Sequence, residues 1–121
     1  MNALAPGWVP TLAQAWWLLA LAIALEIAGT VCLRLSEGFT RATPSVLIFV
    51  FYALSFAINS FFVRTLGLSV VYAVWSGVGT VAIAVIGFGW FKEPVTAVKL
   101  ASISLIVIGV IGLHSSSRAA A

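Results

Sequence analysis

Charge is what this chain has least of: among 121 residues only 7% are charged, three acids and six cations. It has one cysteine, Cys32, so no disulfide can close within it, and one histidine, His114, so it lacks a Cys/His cluster able to hold a metal. No glycine-rich phosphate loop is present and no nucleophile has a base placed beside it, which leaves nucleotide use and catalysis without support. The six cations, Arg34, Arg41, Arg64, Lys92, Lys99 and Arg118, stand apart from one another, so there is no basic patch for nucleic acid. No metal, no cofactor and no enzyme activity is expected.

Hydrocarbon fills the room that charge leaves. The chain is 63% hydrophobic with a mean hydropathy of +1.20, far outside the range of a soluble domain, and its expected partner is the lipid bilayer. Its apolar runs predict an all-α membrane protein with transmembrane helices over 14–35, 45–64, 68–91 and 95–113, flanked by tails at 1–13 and 114–121, all one domain. Nineteen residues from Ala15 to Leu33 give a helix of about 28 Å, close to the hydrocarbon thickness of a bilayer. Pro6, Gly7 and Pro10 make the leading tail a poor helix, so residues 1 to about 12 read as a loose or interfacial segment. With no Lys or Arg before Gln14 and too long an apolar run behind it, this tail does not read as a cleaved signal peptide. Gly38 and Pro44 separate the first two runs, and Lys92-Glu93-Pro94 separates the last two. The tail after Leu113 reads as disordered, with His114 solvated.

Glu26 is the anomaly. An acid at the centre of a membrane helix costs about 2.5–3.5 kcal/mol on insertion scales, so it is seldom kept without a partner, a cavity or a task. Ala22, Ile23, Gly29, Thr30 and Leu33 share its helical face, and the small and hydroxylated ones leave room for a neighbouring helix or for a ligand. In the second span Tyr52, Phe56 and Asn59 form an aromatic and polar face, where Tyr52 is either a hydroxyl offered to a cavity or a packed tyrosine. In the third, Tyr72, Trp75, Ser76 and Gly79 fall on one face, either a cation-binding aromatic wall or a tight helix interface. Gly77 and Gly79 permit close packing or a bend. The fourth span has no central charge; Ser102, Ser104 and Gly109 mark it as a packing or dimerisation helix.

Cations number four on one side (Arg34, Arg41, Lys92, Lys99) against two on the other (Arg64, Arg118), a bias small enough to allow insertion in both orientations. Four helices enclose little space, so an oligomer is expected. In two copies of Glu26 brought into one desolvated site, burial and the like charge both disfavour the charged form, and such a pair could exchange protons for an arriving organic cation.

The residues Glu26-Ile-Ala-Gly29-Thr30, Leu35-Ser36-Glu37-Gly38-Phe39-Thr40-Arg41, Pro44-Ser45, Tyr72-Ala-Val-Trp75-Ser76-Gly77-Val-Gly79 and Leu105-Ile106-Val-Ile-Gly109-Val110 together resemble the small multidrug resistance family, over about Trp16 to Gly112. The resemblance implies an antiparallel, dual-topology homodimer in the bacterial inner membrane that exports lipophilic and quaternary ammonium cations against protons by alternating access. It further implies that Glu26 is shared by proton and substrate and that Trp16, Ala22, Thr30, Tyr52, Tyr72, Trp75 and Ser76 line the site. Gly77 and Gly79 fall where the family kinks its third helix, and Ser102, Leu105, Ile106 and Gly109 where the fourth helix packs in the dimer. Trp16 replaces a frequent tyrosine, Arg34 a lysine and Ser102 a frequent glycine, while the residues ahead of the first span have no counterpart. Three alternatives stand beside this reading: a guanidinium-type exporter, disfavoured because no tryptophan closely follows Glu26; pairing with a related chain; and a non-transporting subunit that uses Glu26 for assembly.

Overall fold

A computed structural model describes residues 8–120, and every regular element among them is helical: α1 (Leu12–Leu35), α2 (Ala42–Leu66), α3 (Leu68–Gly89) and α4 (Ala97–Ala120). All four helices are long and apolar enough to cross a bilayer.

Local chemistry explains the ends. The Thr11 hydroxyl accepts from the Gln14 amide at 3.3 Å while the Gln14 side chain accepts from the Thr11 amide at 3.0 Å, a reciprocal cap that starts α1 at Leu12 rather than at residue 14. α1 stops at Ser36, whose hydroxyl donates back to the Leu33 carbonyl at 2.8 Å and accepts from the Phe39 amide at 3.2 Å. Glu37, Gly38 and Phe39 then take positive φ values of 50°, 73° and 66°, and this left-handed corner turns the chain back on itself. α2 begins at Ala42, ahead of the expected residue 45, because Pro44 sits in its first turn, where a missing N–H leaves no bond unmade. Gly67, at φ 86°, ends α2 with its amide on the Val63 carbonyl at 2.8 Å, and α3 follows at once.

α4 departs furthest from expectation. The Thr96 hydroxyl caps its start by accepting from the Lys99 amide at 3.1 Å, and the helix runs to Ala120, through the segment expected to be a disordered tail. No Gly or Pro follows Gly112 to break it, and the terminal alanines are strong helix formers. The leading segment also differs. Pro10 is buried and its carbonyl accepts from the Thr65 hydroxyl at 3.0 Å, while the Trp8 ring lies 6.1 Å from that of Phe61, so residues 8–11 are fastened to α2. The rest of the expected tail, residues 1–7, lies outside the described residues.

The chain divides into two compact units, Met1–Leu68 and Ser69–Ala121. In the first, α1 and α2 form a hairpin. The small residues Ala15, Ala22, Gly29 and Ser36 recur at every seventh position of α1 and its C-terminal cap, and all are buried. Ile48, Ser55 and Phe62, the buried residues of α2, keep the same spacing. A seven-residue repeat holds one seam in line along two helices, and small side chains let the backbones approach, the main source of helix affinity where lipid removes the hydrophobic one. In the second unit, α3 presents Gly77 to Val110 of α4: a Cβ on Gly77 would lie 2.8 Å from the nearest Val110 methyl. A groove of about 390 Å³, wholly apolar, continues beside this contact along Val78, Val81, Ala82 and Val107.

Candidate functional site

Glu26 stands near the middle of α1, half-buried, with its partners set by helical spacing and by the approach of α2. Thr30, one turn later on the same face, donates its hydroxyl to Glu26 Oε2 at 2.7 Å. The Tyr52 hydroxyl of α2 lies 2.9 Å from Thr30 Oγ1. A threonine hydroxyl has one proton to give; while Glu26 is ionised that proton goes to the carboxylate and Tyr52 is the donor to Thr30. The result is a directed chain, Tyr52 to Thr30 to Glu26, that runs from one helix to the acid on the other.

Gly29 makes this chain possible. A Cβ at that position would lie 2.6 Å from Tyr52 Cε1 and 2.7 Å from Cδ1, so the tyrosine ring occupies the place where any other residue would carry its side chain. On the opposite side of Glu26, the Ser55 hydroxyl donates to the Ala22 carbonyl at 2.7 Å, and Ser55 is wholly buried. In an α-helix that carbonyl is also the acceptor for the Glu26 amide. Two polar contacts from α2 therefore bracket the acid, one turn before it and one turn after.

Of the residues that the sequence pointed to, Glu26, Thr30, Tyr52 and Ala22 come together in the hairpin. Ala22 is fully buried there, under the Ser55 hydroxyl. Trp16 is half-buried on α1, ten residues ahead of Glu26 and about 15 Å along the axis. Tyr72, Trp75 and Ser76 lie in the other unit along one face of α3; Tyr72 is 75% exposed, Ser76 is exposed and Trp75 is half-buried. Gly77 and Gly79 are buried, and α3 runs as one helix through both. Ser102, Leu105, Ile106 and Gly109 are all exposed on α4, and nothing lies within 4 Å of where a Gly109 side chain would start. Among the described residues no group of three His, Cys, Asp or Glu side chains could hold a metal. Sequence reasoning passed over Ser55. The signal was there in principle: Ser55 follows Tyr52 by three positions and so shares its face, but a lone serine in a membrane helix bonds as readily to its own helix, as Ser104 does to the Leu100 carbonyl.

A family model described as Small Multidrug Resistance protein matches residues 14–106. The multidrug resistance protein EbrA of Bacillus atrophaeus is 44% identical over 96 residues, 79% of this chain and 91% of that protein. An uncharacterized membrane protein, YvaE of Bacillus subtilis, is 46% identical over 99 residues, 82% of this chain and 83% of its own length. The guanidinium exporter of Escherichia coli is 37% identical over 105 residues, 87% of this chain and all of that protein.

Proposed function

Because the chain belongs to the small multidrug resistance family, and is therefore a multi-pass transporter of the bacterial inner membrane and not an enzyme, we propose that it exchanges protons for lipophilic and quaternary ammonium cations at Glu26. The observation that carries this reading is the single mid-span carboxylate held by a hydroxyl chain. A carboxylate in lipid is costly unless it is neutralised, and either a proton or an organic cation neutralises it. Occupancy by one excludes the other, which is the basis of exchange.

The working unit in this proposal is an antiparallel dimer. Tyr72 and Ser76 are exposed in a single chain, and Trp75 half so, as expected of an aromatic wall completed only when a second copy supplies its own Glu26. Ser102, Leu105, Ile106 and Gly109 form the exposed α4 stripe offered to that second copy. A thin cation bias allows the two copies to insert in opposite orientations. Exchange of the two copies between inward-facing and outward-facing shapes, with Gly77 and Gly79 as the place where α3 bends, provides alternating access.

The test is transport by the purified protein in liposomes. An imposed proton gradient should drive tetraphenylphosphonium uptake by the wild type, and Glu26→Gln, which keeps a hydrogen-bonding amide but cannot titrate, should abolish it. Proton-driven uptake that survives in Glu26→Gln rejects the mechanism and favours an assembly role for the acid. Transport of guanidinium but not of tetraphenylphosphonium, both lost in Glu26→Gln, keeps the mechanism and changes the substrate class.

A further inference from the structure

We propose that Gly29 and Ser55 are positioning residues that fix the register of α2 on α1 so that the Tyr52 hydroxyl backs Thr30 on Glu26. The inference rests on Glu26 being the exchange site and goes beyond it, since neither residue touches the carboxylate.

The geometry of α2 carries the argument. Tyr52 and Ser55 are three positions apart, so they project from one side of α2, and both reach α1. Ser55 is the tighter constraint: its side chain is short, it is 0% exposed, and its hydroxyl ends 2.7 Å from a backbone carbonyl, which cannot move without moving the helix. Tyr52 is the longer arm, and its reach depends on Gly29. With any Cβ at position 29 the ring must withdraw, because the collision is with ring atoms Cε1 and Cδ1, not with a flexible end. Once the ring withdraws, Thr30 loses its donor while keeping its own bond to Glu26 Oε2. The Ser55 bond then sets where along α1 the tyrosine lands, and the Gly29 notch sets how close it comes. A slip of one residue would advance α2 by about 1.5 Å and turn it by a quarter of its circumference, enough to part a 2.9 Å hydroxyl contact.

In this proposal both residues act on the Glu26 carboxylate through the Tyr52 hydroxyl, the Ser55 bond to the Ala22 carbonyl reaching only the backbone of Glu26, and that dependence is measurable. Tetraphenylphosphonium affinity would be followed by tryptophan fluorescence from acid to alkaline pH for Gly29→Ala, Tyr52→Ala and their double variant, and for Ser55→Ala, Tyr52→Phe and theirs. Glu26→Gln serves as control. Gly29→Ala should weaken binding about tenfold and displace the pH midpoint, yet add less than about twofold once Tyr52 is alanine, since the collision is gone. Ser55→Ala should likewise shift the wild-type midpoint and leave that of Tyr52→Phe in place. Effects that simply add in both cycles overturn the proposal, because residues that only support the fold, or line the ligand site themselves, would act whether or not the Tyr52 hydroxyl is present. Should Gly29→Ala fail to fold, the Ser55 cycle decides alone. Loss of pH-dependent binding in Glu26→Gln together with additive cycles removes this inference and leaves the exchanger reading standing; pH-dependent binding that persists in Glu26→Gln removes both.

Discussion

The hairpin and the second unit solve the same problem in different ways. Both are pairs of apolar helices in a solvent that does not drive apolar surfaces together. The α1–α2 hairpin is fastened by polar contacts: Ser55 on the Ala22 carbonyl, Tyr52 on Thr30, and Thr65 on the Pro10 carbonyl, set along a seam of small residues. In the α3–α4 unit the fit is one of shape, with a valine in a glycine notch beside an open apolar groove, and α4 has no buried residue anywhere along its membrane span. Hydrogen bonds are directional and lose their value within an ångström or so of displacement, whereas apolar contacts tolerate sliding. A site that must place a carboxylate needs the first kind of fastening. In the proposed dimer, where the second unit meets another copy and α3 bends, the second kind is the better suited.

Four experiments sharpen or break this contrast, and the largest effect belongs to the acid itself: Glu26→Gln should abolish proton-driven cation transport in liposomes while leaving the helical circular dichroism unchanged. Next comes the notch of the second unit. Gly77→Leu overfills the space held by Val110 and should cost about 1–3 kcal/mol of stability in detergent, with Val110→Ala in the same chain relieving part of it. Relief of that kind is the mark of a fit made by shape, and its absence would place the strain elsewhere. In the hairpin, Ser55→Ala removes one interhelical hydrogen bond and should cost about 0.6–1.7 kcal/mol, seen as a lowered unfolding midpoint. A cost at the level of an exposed serine such as Ser104 would mean that the bond does not fasten the helices. The smallest effect is expected at the corner between α1 and α2, where Arg41 and Glu37 form an exposed ion pair at 3.5 Å. Arg41→Ala should change stability by less than about 0.5 kcal/mol, and less again in high salt.

The number of membrane helices was legible in the sequence because hydropathy alone sets it: four apolar runs long enough to span, with breaks marked at Gly38 and Pro44 and at Lys92 to Pro94. Their ends were less so. The Thr11–Gln14 cap and the first-turn Pro44 move two starts by a few residues, and with no Gly or Pro after Gly112 to break it, α4 continues to Ala120 where a disordered tail was expected. The candidate site divides in the same manner. Glu26 was conspicuous because charge is so scarce, and Thr30 followed from its place one turn away. Tyr52 could be read equally as a site residue or as packing, since nothing in the chain says which side of α2 meets α1. Ser55 shares the Tyr52 face, but a lone serine in a membrane helix bonds as readily to its own helix.

What the sequence determines by itself, then, is that this chain lies in a membrane, crosses it in four helices, carries one acid at mid-span and belongs among the small multidrug transporters, since composition, run length and family motifs are all written along one dimension. What only the tertiary structure decides is which faces meet. In a soluble protein the polar and apolar sides of a helix announce its packing, but in lipid every side is apolar, and hydropathy has no period to read. The register that puts the Tyr52 ring in the Gly29 notch and the Ser55 hydroxyl on the Ala22 carbonyl comes from the fit of one helix surface to another, a property that neither helix has alone.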